Sequence, residues 1–333
     1  MIFCYANSAN AKKERTVTTR RRKVVVVGAG AVGSTFCYAL AQSGLVSEIA
    51  LIDKNDHLAE GQILDLSHGR PYYPSLALHV GKASDYAEAS VIVITAGAAQ
   101  RPGESRLDLL KKNAAIVGEI MAEIAQQNSS AVIVIVSNPV DVLTYVALKQ
   151  SGWDRGRVIG SGTVLDSARF RYLLSEHCGV DIHNVHAYIL GEHGDSEFAA
   201  WSMAHVAGIP IDAYCPICHK CDDWMAERIR IEERVRNSAY HIIDYKGATW
   251  FGVGMALVRI VEAILRDQRS VLTVSTLLDG EYGIRDVCLS VPCIVSQNGV
   301  EEILECQLPE NERALLSASS EVLKEALAKL EHS

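Results

Sequence analysis

From Lys23 onward, short runs of Val and Ile alternate with helix-length segments, and that alternation leaves few folds open. KVVVV at Lys23 precedes a helical stretch from Ala31 to Ser43, and EIALI at Glu48 precedes another through Leu58 to Ser67. VIVIT at Val91, a helix from Leu107 to Gln127, AVIVIV at Ala131 and a helix after Pro139 continue the pattern. A strand with one wet face alternates apolar and polar residues. A nearly continuous β-branched run is buried on both faces, which requires helices packed on each side of the sheet. An α/β fold with a doubly wound parallel sheet follows.

The chain of 333 residues exceeds the usual size of one core, and the pattern changes near Ser161. We therefore expect a basic, disordered tail over 1–22, a doubly wound domain over 23–162 and a mixed α+β domain over 163–333. In the last of these, helices are expected from Asp223 to Tyr245 and from Thr249 to Asp267. VLTVSTLL, CLSVPCIV and EEILEC, broken by glycines, predict antiparallel strands, and Pro309 precedes an amphipathic helix from Asn311 to Leu330.

Charge and composition exclude several classes of function. The formal net charge is -8, and the only dense cationic run lies at the N-terminus, so no nucleic-acid partner is expected. That run holds seven Lys or Arg against one Glu from Ala11 to Lys23, and the tail over 1–22 shares a little of the Arg, Ser and Thr content of an organelle transit peptide. No apolar segment follows it as a secretory leader would require. No stretch reaches the roughly 20 uninterrupted apolar residues of a membrane span. Nine cysteines in an acidic chain without a leader fit free thiols in a reducing compartment, and a cytoplasmic location is expected.

The first strand runs directly into Gly28-Ala29-Gly30-Ala31-Val32-Gly33. Glycines mark ordinary tight turns too. Here, however, a strand precedes them, a helix follows, and Asp53 closes the next strand twenty residues after Gly33. That is the Rossmann arrangement, in which the turn admits a pyrophosphate to a helix N-terminus and the acid accepts ribose hydroxyls. A carboxylate would repel a 2′-phosphate, so NAD is expected over NADP.

A second set of residues points to acid/base chemistry on a small anion. In LDSARFR, Asp166 and Arg169 are three positions apart on a helix and share a face. His193 lies in GEHGD between glycines. A histidine bonded to a buried aspartate has its tautomer fixed and its charged form favoured, as a proton shuttle needs. The plainer alternatives are an intrahelical ion pair and a turn histidine.

GAGAVG, GAAQRPGESRLDL, SNPVD, LDSARFR, GEHGD and KGATWFG stand in one order, and with them the chain from Lys23 to its C-terminus resembles the L-lactate dehydrogenase branch of the lactate/malate dehydrogenase family. The resemblance implies an NAD-dependent enzyme interconverting pyruvate and L-lactate, with His193 as acid/base, Asp166 orienting it, and Arg169 gripping the substrate carboxylate. It implies that Arg106, expected in a loop from Gly97, polarises the reacting carbonyl as that loop closes. Gln100 takes the position where relatives acting on malate carry an arginine. Asn138 is implied near the nicotinamide and substrate, although a turn before Pro139 would also explain it. Gly28, Gly30, Val32, Gly33 and Asp53 are implied as cofactor contacts. Thr249 matches a pocket-wall position or simply caps the following helix. The alternatives are malate or bulkier 2-hydroxy acids as substrates, or a non-catalytic NAD-binding structural or sensor protein.

Two further readings concern interfaces and metals. Arg171, about 200° around the helix from Arg169, must face away from the substrate. With His186 it matches the pair that, in many bacterial relatives, binds fructose 1,6-bisphosphate between subunits, which implies a homotetramer with an allosteric effector; a structural arginine and a core histidine are the alternative. Cys215, Cys218 and Cys221 form CPICHKC, with His219 among them. Structural zinc sites usually join two separated ligand pairs, and these candidates crowd into seven residues of an expected surface loop, so free thiols are expected and no metal.

Overall fold

The computed structural model describes residues 22–98, 103 and 105–331. Six parallel strands form its centre: β1 (Lys23–Val27), β2 (Glu48–Ile52), β3 (Ala77–Val80), β4 (Val91–Ile94), β5 (Val132–Ile135) and β6 (Val158–Gly160). Their side chains are buried on both faces in β1, β4 and β5, as their unbroken Val/Ile composition requires. Helices α1 (Ala31–Ser43), α2 (Asp56–His68), α3 (Arg106–Gln126) and α4 (Val140–Ser151) cover the faces.

The strand order is β14-β13-β12-β6-β5-β4-β1-β2-β3. The chain leaves β1 in one direction and returns to β4 on its other side, which opens a crevice at the carboxyl ends of β1 and β4. The glycine turn sits at that switch point.

The second half begins with α5 (Val164–Cys178) and five two-residue strands: β7 (Val185–His186), β8 (Ile189–Leu190), β9 (Phe198–Ala199), β10 (His205–Val206) and β11 (Ile209–Pro210). Helices α6 (Ile211–Cys218), α7 (Trp224–Lys246) and α8 (Phe251–Leu265) follow, then β12 (Ser270–Asp279), β13 (Arg285–Ser296), β14 (Gly299–Ile303) and α9 (Glu310–Glu331). The antiparallel strands expected in this half do form. They extend the first sheet, joining it where Ser275 of β12 pairs with Gly160 of β6.

CPICHKC departs from expectation. Cys215 and Cys218 lie on α6 despite Pro216 within it, and Cys215 is buried. Among the described residues no helix is long and apolar enough to cross a membrane.

Candidate active site

Asp166 lies in the first turn of α5, and its side chain is 2% exposed. Its Oδ1 accepts from Arg169 Nη1 at 2.6 Å, and its Oδ2 stands 2.7 Å from His193 Nδ1. The ion pair and the oriented imidazole are therefore both present, on one carboxylate. An ionised carboxylate can only accept, so Nδ1 carries the proton and Nε2 is left for chemistry.

The loop holding His193 is anchored from four elements. Ser167 Oγ accepts from Ile189 N at 2.9 Å and Thr163 Oγ1 donates to Ile189 O at 2.6 Å, tying β8 to α5. Gly191 bridges to Ser290 of β13 in both directions. Ser319 Oγ of α9 accepts from Glu192 N at 2.7 Å, and Asp141 Oδ2 of α4 accepts from His193 N at 2.8 Å.

Burial disfavours a charged His193, but the charge and hydrogen bond of Asp166, with Glu197 and Asp141 adding, override it and push the pKa from 6.5 up to about 9. Burial works to raise Asp166, yet His193 and Arg169 hold it below its ordinary value. Burial, reinforced by the charge of Asp166, lifts Glu197 to about 8. Burial lifts Asp141 to about 6. Around neutral pH the site thus holds an imidazolium on an ionised aspartate beside a protonated glutamic acid.

A cavity of about 240 Å³ opens onto this group, lined by Arg169, His193, Asn138 and Thr249 together with Val32 from the glycine turn and Ile243 from α7. Asn138 follows β5, and its carbonyl accepts from the Nδ2 of buried Asn113 at 2.9 Å; Asn113 Oδ1 also accepts from Ala98 N at 2.8 Å. One α3 side chain thereby fixes the loops after both β4 and β5. Thr249 is no helix cap, since Trp250 takes that position without a side-chain cap bond.

Arg106 is not brought into the cavity. It is the first residue of α3, capped by Ser105, with its side chain 85% exposed and 3.6 Å from Asp195 Oδ2. Asp195 Oδ1 in turn accepts from Tyr240 OH at 2.6 Å. Gln100 lies outside the described residues, as does the N-terminal tail through residue 21.

The glycine turn fits a dinucleotide. A side chain on Gly28 or Gly33 would collide with protein: a Cβ on Gly33 falls 1.9 Å from Gly28 O. A Cβ on Gly30 meets nothing within 4 Å, and α1 begins there without a side-chain cap, leaving its first N–H groups for an anion. Asp53 accepts from Ala29 N at 2.7 Å and Asn55 N at 2.9 Å, which holds a partly exposed carboxylate at the lip of the turn.

Arg171 does face away from the cavity. Its Nε donates to Val185 O at 2.8 Å and its Nη2 to Ile182 O at 3.3 Å, while His186 is exposed rather than part of the core. Asp141, Glu197 and Asn113 were not singled out from the sequence. Asp141 stands inside SNPVD and Glu197 four residues after His193, but their partners become neighbours only in the fold.

Two family models match: the lactate/malate dehydrogenase NAD binding domain over 22–160 and the lactate/malate dehydrogenase alpha/beta C-terminal domain over 163–333. A protein of Treponema denticola named L-lactate dehydrogenase is 59% identical over 313 residues, covering 93% of this chain and 99% of that protein. Another of that name from Acetivibrio thermocellus is 53% identical over 310 residues, covering 93% and 98%. Among solved structures, the ligand-bound minor L-lactate dehydrogenase of Enterococcus mundtii superposes with a TM-score of 0.90 at 42% identity, covering 93% of this chain and 98% of that one. The chain belongs to the lactate/malate dehydrogenase family.

Proposed function

We propose that this chain is an NAD-dependent L-lactate dehydrogenase in which His193 is the acid/base, Asp166 its orienting partner and Arg169 the carboxylate anchor. The observation that carries this is the convergence of His193, Arg169 and Val32 of the glycine turn on one cavity. Relatives named L-lactate dehydrogenase at 59% and 53% identity support it.

Bound at the glycine turn, NAD would supply the hydride acceptor for the alcohol carbon and NADH the donor for the return reaction. Lactate oxidation uses the neutral ring of His193, whose Nε2 accepts the hydroxyl proton of L-lactate, and the resulting imidazolium is stabilised by Asp166. In reverse the imidazolium delivers its proton to the carbonyl oxygen of pyruvate. Arg169 offers its remaining guanidinium N–H groups to the substrate carboxylate as a planar fork. Arg106 completes the site on moving inward from its exposed position, where Asp195 is its partner, and polarises the carbonyl as water leaves. Asn138 and Thr249 bound the substrate, and Gly28, Gly30, Val32, Gly33 and Asp53 hold the dinucleotide. The nucleotide unit is 23–162 and the catalytic unit 163–333.

Substrate choice rests on Gln100, because a neutral amide leaves a second carboxylate without a counter-charge. With NADH, pyruvate should be reduced faster than oxaloacetate or 2-oxoisocaproate, and Gln100→Arg should move preference toward oxaloacetate. A wild-type rate highest on oxaloacetate would overturn the assignment.

Assembly and regulation belong to the same reading. Tyr38 of α1, Leu64 of α2, Tyr240 and Tyr245 of α7 and Met255 of α8 are exposed, which supports a homotetramer that covers them. Exposed His186 and the Arg171 groups not spent on Ile182 and Val185 are suited to fructose 1,6-bisphosphate. Titrating that sugar should sharpen pyruvate saturation and favour the tetramer, and no change in either would remove the effector. The free thiols among the described cysteines support a cytoplasmic location.

A further inference from the structure

The fold assembles a metal-ligand set that CPICHKC alone does not contain. His177, at the end of α5, brings its Nε2 to 3.7 Å from Cys215 Sγ of α6. Cys221, in the turn before α7, places its Sγ 3.4 Å from the same sulfur, and the two thiols are not bonded. One ligand atom from each of the three residues lies within 4.8 Å of the others. With metal–sulfur bonds of about 2.3 Å and metal–nitrogen bonds of about 2.0 Å, tetrahedral edges are about 3.8 Å between sulfurs and about 3.5 Å between sulfur and nitrogen. The observed separations are close to both edges.

The surroundings suit the same purpose. The other ring nitrogen of His177, Nδ1, stands 3.7 Å from Glu227 Oε1, the position of the carboxylate that commonly orients a metal-bound imidazole. Trp224 lies alongside the ring at 5.6 Å between centroids. Cys218 is three residues from both cysteines, with its Sγ 3.2 Å from Cys215 O. The ligands are not confined to the seven residues of CPICHKC, because His177 arrives from 38 positions upstream of Cys215.

We propose that His177, Cys215 and Cys221 form a binding site for a thiophilic divalent cation of the zinc type, with the fourth position taken by solvent or Cys218. The ion ties the end of α5 to α6 and the start of α7. Since α5 carries Asp166 and Arg169 and α7 carries Ile243 of the cavity wall, it braces the site from behind without touching substrate.

The test uses full-length protein, chelator-washed under reductant, then loaded with zinc or cobalt and desalted. About one zinc per chain should be retained, and cobalt should give thiolate-to-metal charge-transfer absorption with intense tetrahedral visible bands. Asp166, His193 and Glu197 also converge, so the thiolate band is the deciding readout. Cys221→Ser and His177→Gln should each weaken metal binding at least tenfold, whereas Cys306→Ser, outside the cluster, should leave it unchanged. Cys221 is partly exposed, so its variant should fold, with circular dichroism as the check. A saturating cobalt spectrum without a thiolate band would overturn the proposal, as would undiminished binding by folded Cys221→Ser. So would a Cys215–Cys221 disulfide in metal-free protein as isolated from cells, detected as a two-proton mass loss.

Discussion

Asp166 does two jobs with one carboxylate, and its two oxygens are not equivalent. Oδ1 holds Arg169 and Oδ2 holds His193, so a change that spares the first while weakening the second separates anchoring from catalysis. Asp166→Asn can keep one acceptor oxygen but loses the charge that favours imidazolium. In that variant kcat should fall by about 10²- to 10⁴-fold, the range of general acid–base catalysis, while NADH affinity measured by fluorescence stays within about twofold. Pyruvate reduction needs the protonated ring, which persists toward pH 9 in the native site; in the variant the activity should begin to fall at lower pH. Full activity across that range would refute the assigned role. This pair was legible because it lies within two short motifs of distinctive composition. Asn113 was not, since a lone Asn in an amphipathic helix has no local signature and its partners, Ala98 and Asn138, are 15 and 25 residues away.

Among elements, the turn from β1 to α1 separates structure from ligand binding within four residues. Gly33 is required by protein, because its missing Cβ would overlap the backbone of Gly28. Gly30 is not required by protein, since open space surrounds it and its φ of -68° suits any L-residue. Gly30→Ala should therefore leave the melting temperature within about 2 °C while raising the NADH Kd at least about tenfold, or about 1.4 kcal/mol. Gly33→Ala should lower both stability and affinity. Equal NADH binding by Gly30→Ala and wild type would place the pyrophosphate elsewhere. The central strands were legible for the reason that makes them central: burial on both faces leaves an unbroken apolar run. Edge strand β3 escaped notice because Ala77 is exposed, the other three residues are only partly buried, and its ALHV sequence carries no such run. Helix α6 was mistaken for a loop because Pro216 signals a break, although the helix is short and Ile211 and Cys215 pin it to the core.

For the molecule as a whole, one sheet of nine strands among the described residues runs from the nucleotide turn to the strands that brace the catalytic loop, so protonation at the site is coupled to folding of both halves of that sheet. His193 is raised from 6.5 to about 9, so its contribution to stability is complete below pH 6.5 and is lost as pH rises through 9. Glu197 is raised from 4.5 to about 8, so the folded protein keeps a proton that the unfolded chain releases, and stability declines over that interval as well. Asp166 acts oppositely: its stabilisation is present above its ordinary 3.8 and is lost as pH falls through its depressed folded value. Stability without cofactor should accordingly be greatest on the acidic side of neutrality and fall steadily from pH 6 to 9. Urea midpoints measured across that range should show the decline in wild type and a shallower one in Glu197→Gln, which keeps the shape of the neutral acid but cannot ionise. A wild-type midpoint that held level or rose toward pH 9 would mean that the buried cluster does not retain its protons. The reading of His193 as an imidazolium before substrate arrives would then fail with it.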